Sequence, residues 1–130
     1  MSGQERCYPL SKHILVEITN GTVDISWIEF DDRILINITQ FGKFGTLIHS
    51  CKDVNPEASR YSLQTSDPVS FTNKVLFGIE KPEMLMLTRS LTAKLDRNKP
   101  LLYSLSLKDF SIETLKIIEN SIVDLGSNLA

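Results

Sequence analysis

The chain has 130 residues, 42% of them hydrophobic and 23% charged, with 14 basic residues against 16 acidic ones and a net charge of -2. That length suits one domain, that balance is too apolar for a disordered chain, and that charge lacks the basic excess of a nucleic-acid-binding protein. No uninterrupted apolar stretch approaches the ~18 residues that cross a bilayer, and Met1-Ser2-Gly3-Gln4-Glu5-Arg6 leads into no apolar signal segment. The expectation is a single domain over 1–130, cytoplasmic or also nuclear, with no membrane and no nucleic-acid partner. Residues 1–10 read as a flexible N-terminus.

The first half reads as strands joined by tight turns. His13 to Thr19 alternates apolar and polar residues and runs into Asn20-Gly21, the strongest short hairpin signal, because both residue types tolerate the positive φ of a type I′ turn. A second strand, Val23 to Phe30, meets Asp31-Asp32. A third, Arg33 to Thr39, meets Gln40-Phe41-Gly42-Lys43-Phe44-Gly45. A fourth, Thr46 to His49, runs into a polar stretch with Pro56 and Pro68, so that 50–70 is the one long loop.

Hairpin turn lengths fix the register of the strands they join. With turns at Asn20-Gly21, Asp31-Asp32 and Gly42-Lys43, Val16 faces Ile25, Ile14 faces Trp27, Trp27 faces Ile36, and Ile38 faces Leu47. One face of a four-stranded meander then collects Ile14, Val16, Ile18, Val23, Ile25, Trp27, Ile34, Ile36, Ile38 and Leu47, with Trp27 between Ile14 and Ile36. The other face is mixed. It carries Glu17, Asp24, Ser26, Asn37 and Thr39 beside Leu15, Ile28, Leu35 and Ile48, with Ile28 opposite Leu35. A solvated sheet face alternates more cleanly than this. Either the chain's own loops or second helix cover those four aliphatic residues, or they form a partner-binding patch.

Thr72 to Ile79 reads as a fifth strand. Pro82 suits the first turn of a helix, and Met84, Leu87, Leu91 and Leu95 recur at helical spacing until Asn98-Lys99-Pro100 ends it. Leu101 to Leu107 is a sixth strand. Asp109 or Ser111 can cap a last helix in which Ile112, Leu115, Ile118, Ile122 and Leu125 form one stripe and Gly126 closes it. The fold class is therefore α+β, a single antiparallel sheet of about six strands packed with two amphipathic helices.

Chemistry is hard to find in these residues. His13 and His49 fall on strands with no carboxylate pattern aimed at either, and Cys7 and Cys51 have no metal-ligand spacing with them. The nucleophile elbow G-x-S-x-G and the phosphate loop G-x-x-x-x-G-K-S/T are absent, and Gly42-Lys-Phe-Gly45 joins two strands where a phosphate site needs a helix N-terminus. The expectation is a binding protein with no catalytic residues, no cofactor and no metal.

Arg33-Ile-Leu-Ile-Asn-Ile-Thr-Gln-Phe-Gly-Lys-Phe-Gly-Thr-Leu-Ile48 contains, from Thr39 to Leu47, the pattern T-Q-F-G-K-x-G-T-L. This resembles the proteasome-assembly chaperone 3 family. Asn73-Lys-Val-Leu-Phe-Gly78 followed by Pro82 is similar to that family's T-K-V-L-x-G segment, and Leu105-Ser-Leu-Lys-Asp109 with the helix from Ser111 is similar to its strand-to-last-helix passage. Together they span most of the chain from His13 onward. Asn73 stands where the family pattern has threonine, the loop at Ser50 to Ser70 is longer, and the extreme termini differ.

The resemblance implies a chaperone without nucleotide or metal that pairs with a related small assembly chaperone, or forms a homodimer when alone. It further implies binding to α-type subunits during assembly of the α-ring of the proteasome core. It gives the mixed face a use, since two such domains can pack through Leu15, Ile28, Leu35 and Ile48 with their helices outward. Gln40 to Gly45 then has two readings. It is a turn whose glycines supply special backbone angles and whose Phe41 and Phe44 cap the core, or its Gln40, Lys43 and Phe44 contact the partner, Lys43 meeting an acidic site. The alternative is a non-catalytic homodimeric adaptor or scaffolding module of the same fold.

Overall fold

The structure, a computed structural model, describes residues 9–19, 21–41, 45–52 and 71–129. Its elements in chain order are β1 (Leu10–Ile18), β2 (Gly21–Glu29), β3 (Ile34–Thr39), β4 (Thr46–Lys52), β5 (Phe71–Phe77), α1 (Pro82–Leu95), β6 (Leu101–Ser106) and α2 (Ile112–Leu129). The six strands form one sheet in the order β1-β2-β3-β6-β4-β5, and the fold is α+β as the pattern of the sequence implies.

Within the sheet, two expectations give way. The sheet is mixed, because β3 runs parallel to β6 and Ile36 lies beside Tyr103. The four-stranded meander therefore stops at β3. β6 occupies the place beside β3 and pairs antiparallel with β4 on its far side, so the expected pairing of Ile38 with Leu47 is not formed. The Gly42-Lys43 turn itself falls outside the described residues. The physical reason for the crossing is visible at its end. A Cβ on Gly45 would lie 2.2 Å from the Leu105 backbone oxygen, so the chain passes against β6 at a distance that only glycine allows.

The β1–β2 register is also displaced. Ile18 lies opposite Gly21, Val16 opposite Val23, and Ile14 opposite Ile25, which puts Lys12 rather than Ile14 beside Trp27. Gly21 is thus the first residue of β2 and not the second residue of a type I′ turn; Asn20 lies outside the described residues. The Gly21 φ of +139° is far from the left-handed value near +57° that asparagine tolerates. Gly21→Asn should therefore destabilise the chain nearly as much as Gly21→Val, by about 1–3 kcal/mol in urea unfolding. An asparagine variant as stable as the glycine parent would restore the type I′ assignment. The β2–β3 hairpin agrees with expectation: Phe30 N donates to Arg33 O across Asp31-Asp32 at 2.8 Å, and Trp27 faces Ile36.

Both helices lie on one side of the sheet. Their buried residues, Met84, Leu87 and Leu91 of α1 and Ile118, Ile122 and Leu125 of α2, pack against Val23, Ile25, Trp27, Ile34, Ile36, Ile38, Ile48, Leu101, Tyr103 and Leu105. Ile112, expected in the α2 stripe, is exposed instead. Pro82 opens α1, and Asp96 at φ +46° closes it in the left-handed conformation before Pro100 is reached. α2 does not stop at Gly126. That glycine sits inside the helix where a Cβ would be 3.0 Å from Leu95 and 3.1 Å from Trp27, so its role is close packing.

Polar groups inside this layer are satisfied by one another. The Tyr103 hydroxyl meets Thr92 Oγ1 at 3.0 Å, Thr92 Oγ1 donates to Thr88 O at 2.7 Å, and Ser50 Oγ lies 2.8 Å from Thr92 Oγ1. At the other end of the sheet Lys99 Nζ donates to the buried carboxylate of Glu29 and to Phe30 O, both at 2.8 Å. Burial alone would push the Glu29 carboxyl up, but the Lys99 hydrogen bond and charge, with Trp27 and Arg97, outweigh it and hold the group below its ordinary 4.5. A depressed carboxyl contributes stability above its unfolded value that is lost as pH falls through the folded one. Stability should thus decline on acidification below about pH 4.5, and Lys99→Met should lower stability at pH 7 and shrink that acid-range loss. The check is urea unfolding of both chains at pH 7 and pH 3.5; an undiminished acid loss in Lys99→Met would dissociate it from Glu29.

Candidate functional site: the open sheet face

Because both helices share one side, the opposite face of the sheet is covered by no other described element. Its residues follow from the ladders. One row runs Ser11, Ile28, Leu35, Leu102, His49 and Lys74 across all six strands; the next runs His13, Ser26, Asn37, Ser104, Leu47 and Phe77. Ile28, Leu35 and Leu102 are consecutive and half-buried, so three aliphatic side chains meet at the centre of the sheet. Leu15 stands apart at the β1 edge and is 65% exposed. The pairing of Ile28 with Leu35 is the one read from the hairpin at Asp31-Asp32.

Ile48 does not belong to this face. It lies opposite Tyr103, is 0% exposed and packs beneath the helices, while its neighbour Leu47 points to the open side. The sequence offers two adjacent aliphatic residues here, and the choice between them depended on a β3–β4 hairpin that β6 displaces. Leu102 was missed for the same reason: without the position of β6, nothing tells which of Leu101 and Leu102 meets Leu35. The remaining polar groups are local. His13 Nε2 meets the Asp24 carboxylate, and Cys51, a free thiol, lies one row beyond His49. Cys7 lies outside the described residues.

The motif at Thr39 to Leu47 turns out to fasten the crossing. Thr39 is buried and its Oγ1 accepts from Phe41 N at 2.9 Å. Gln40 Oε1 accepts from Lys108 N at 2.6 Å and Asp109 N at 3.2 Å, tying the end of β3 to the chain entering α2. Lys108 Nζ sits 5.1 Å from the centre of the Phe41 ring. Thr46 Oγ1 donates to Ile79 O at 2.9 Å and joins β4 to the segment before α1. Gln40 is therefore engaged inside the molecule, whatever else it touches. Lys43 and Phe44 fall outside the described residues.

Comparison with known proteins agrees with this architecture. A sequence model of the family described as Proteasome assembly chaperone 3 matches residues 36–124. The chain belongs to the proteasome assembly chaperone 3 family. Curated members from Homo sapiens and Nematostella vectensis are 35% and 34% identical to it over 96 residues, covering 72% of this chain and 73% and 70% of theirs. A chain from the crystal structure of a novel chaperone complex for yeast 20S proteasome assembly superposes with a TM-score of 0.66 over 90% of this chain and 98% of that one. Its identity is 14%, so this likeness speaks for the fold alone. The family match begins at Ile36 and so takes in the Thr39–Leu47 crossing, β5, α1, β6 and α2 as far as Asp124.

Proposed function

We propose that this chain is a proteasome assembly chaperone that pairs, through its open sheet face, with a related small chaperone of the same fold. In that paired form it promotes formation of the α-ring of the proteasome core by binding α-type subunits in the cytoplasm. The observation that carries the reading is the aliphatic row Ile28, Leu35 and Leu102, which no other described element covers at the centre of the sheet in a member of this family. Facing sheets pack about 10 Å apart through such rows, and the helices then remain outward for other contacts. No step of the proposed role needs a bound nucleotide or metal.

The test is purification of a tagged chain from its own cells with mass spectrometry of what accompanies it. A small chaperone of similar size together with α-type proteasome subunits is the expected result. A homodimer free of proteasome subunits would replace this reading with that of a homodimeric adaptor. Lys43→Glu should spare the pairing while reducing recovery of the α-type subunit at least severalfold, because reversing a charge at a protein contact weakens binding to an acidic site. Unchanged recovery would remove Lys43 from the contact.

A further inference from the structure

At the end of the sheet where β4 begins and β5 and β6 stop, a pocket of about 330 Å3 opens beside the start of α1. Phe77, Ile79, Met84, Leu107 and Phe110 make its wall largely apolar. Large apolar side chains at this end stand in water: Leu76 is 52% exposed, Phe77 70% and Ile79 73%. Single exposed apolar residues are ordinary, but three of them within 76–79, beside an apolar pocket, form a patch. The backbone that carries them is pinned. Gly78, at φ +98°, lies against β4 where a Cβ would be 2.8 Å from the Thr46 Cα, and Thr46 Oγ1 donates to Ile79 O at 2.9 Å. Phe77 and Ile79 are thus held out by a fixed frame, which is how recognition residues are usually mounted.

Lys81 supplies the one charged side chain of the lining. Its Nζ sits 4.7 Å from the centre of the Phe110 ring and meets no carboxylate among the described residues. Glu80 and Glu83 are exposed close to it in sequence and do not line the pocket. We infer that this pocket, separate from the row Ile28, Leu35 and Leu102, is a docking site for an extended acidic segment of another protein. The segment seats one aliphatic or aromatic side chain among Phe77, Ile79 and Phe110 and sets a neighbouring carboxylate on Lys81. Charge complementarity gives the sign, because a basic segment meets only the Lys81 ammonium in a lining with no carboxylate. The patch gives the length: the pocket takes one side chain, and Leu76 with the outer part of Phe77 extends the apolar surface past what a small carboxylate covers.

The experiment titrates the full chain with the acetylated peptide amides Ser-Glu-Leu-Glu-Ser and Ser-Lys-Leu-Lys-Ser, and with hexanoate. Binding is read from backbone amide shifts by nuclear magnetic resonance, which needs neither pairing nor a proteasome subunit and so stands apart from the role proposed above. The glutamate peptide should shift Gly78 and Leu107, and serine in place of its leucine should weaken it roughly tenfold or more, the worth of burying one such side chain. Ile79→Ser, at an exposed position, should weaken it severalfold; Ile79→Thr is the second variant should serine disturb the fold. Lys81→Glu should weaken the glutamate peptide by about two- to fivefold, as one exposed ion pair allows, and turn the preference to the lysine peptide. Unshifted Gly78 and Leu107, or a preference unchanged in Lys81→Glu, would overturn the site. Hexanoate bound as tightly as the peptide would overturn the protein segment in favour of a small carboxylate. Peptide binding should survive Leu35→Glu; its loss there would overturn the separation of this pocket from the pairing face.

Discussion

Leu35→Glu is expected to leave the isolated chain folded by circular dichroism and to abolish pairing by size-exclusion chromatography. Leu35 is half-buried between Ile28 and Leu102, on the side away from both helices. In the separate chain a carboxylate there reaches water and costs little. In a dry sheet-to-sheet contact the same charge has no partner and costs several kcal/mol, which is a loss of a hundredfold or more in affinity. Ile48→Glu is the matching control. Ile48 is 0% exposed beneath α1, so its glutamate should unfold the chain outright. If Leu35→Glu also unfolds it, the open face is internal core and pairing must use a sheet edge or the helices.

Trp27→Ala should cost about 3–5 kcal/mol, a large part of the 5–15 kcal/mol that holds an ordinary domain together. The indole is 0% exposed, touches the place where Gly126 lacks a side chain, and carries the Arg97 guanidinium 5.5 Å from its ring centre. Its Nε1 also donates to the buried Glu29 carboxylate at 3.4 Å, so truncation opens a cavity and removes a donor together. Arg97 in turn donates to Gly126 O at 2.6 Å, and its loosening should add to the loss. Gly126→Leu alone should destabilise by overpacking, yet recover part of the loss when combined with Trp27→Ala, because each fills the other's space. Urea unfolding that shows less than ~1 kcal/mol for Trp27→Ala would place the indole elsewhere than in this core.

Local pattern carried the elements and misled on their neighbours. Alternation in 13–19, 23–30 and 33–39, and the 3.6-residue stripes of α1 and α2, report which side chains share a face, and that is local information. Agreement among hairpin registers is a weaker test than it looks. Side chains alternate with period two, so the two-residue displacement of β1 against β2 leaves Ile14, Val16 and Ile18 on the helix side and passes unnoticed. The glycines of 42–45 look like a hairpin, but the chain crosses the end of β6, and the need for Gly45 comes from Leu105, which is distant in sequence. For the same reason Ile28 and Leu35 were legible on the open face while Leu47, Ile48 and Leu102 were not. Their positions depend on where β6 inserts.

That insertion also orders events during synthesis. β1, β2 and β3 emerge first, with one another as ladder partners, and β4 next has a partner in β5. These two pieces have no ladder between them until Leu101–Ser106 arrives, parallel to one and antiparallel to the other. Until then β3 and β4 each present an unpaired edge, a length of bare backbone open to the wrong strand. The last quarter of the chain therefore decides whether the first three quarters become a protein, and a ribosome stalled before residue 101 holds two ribbons with no ladder to join them.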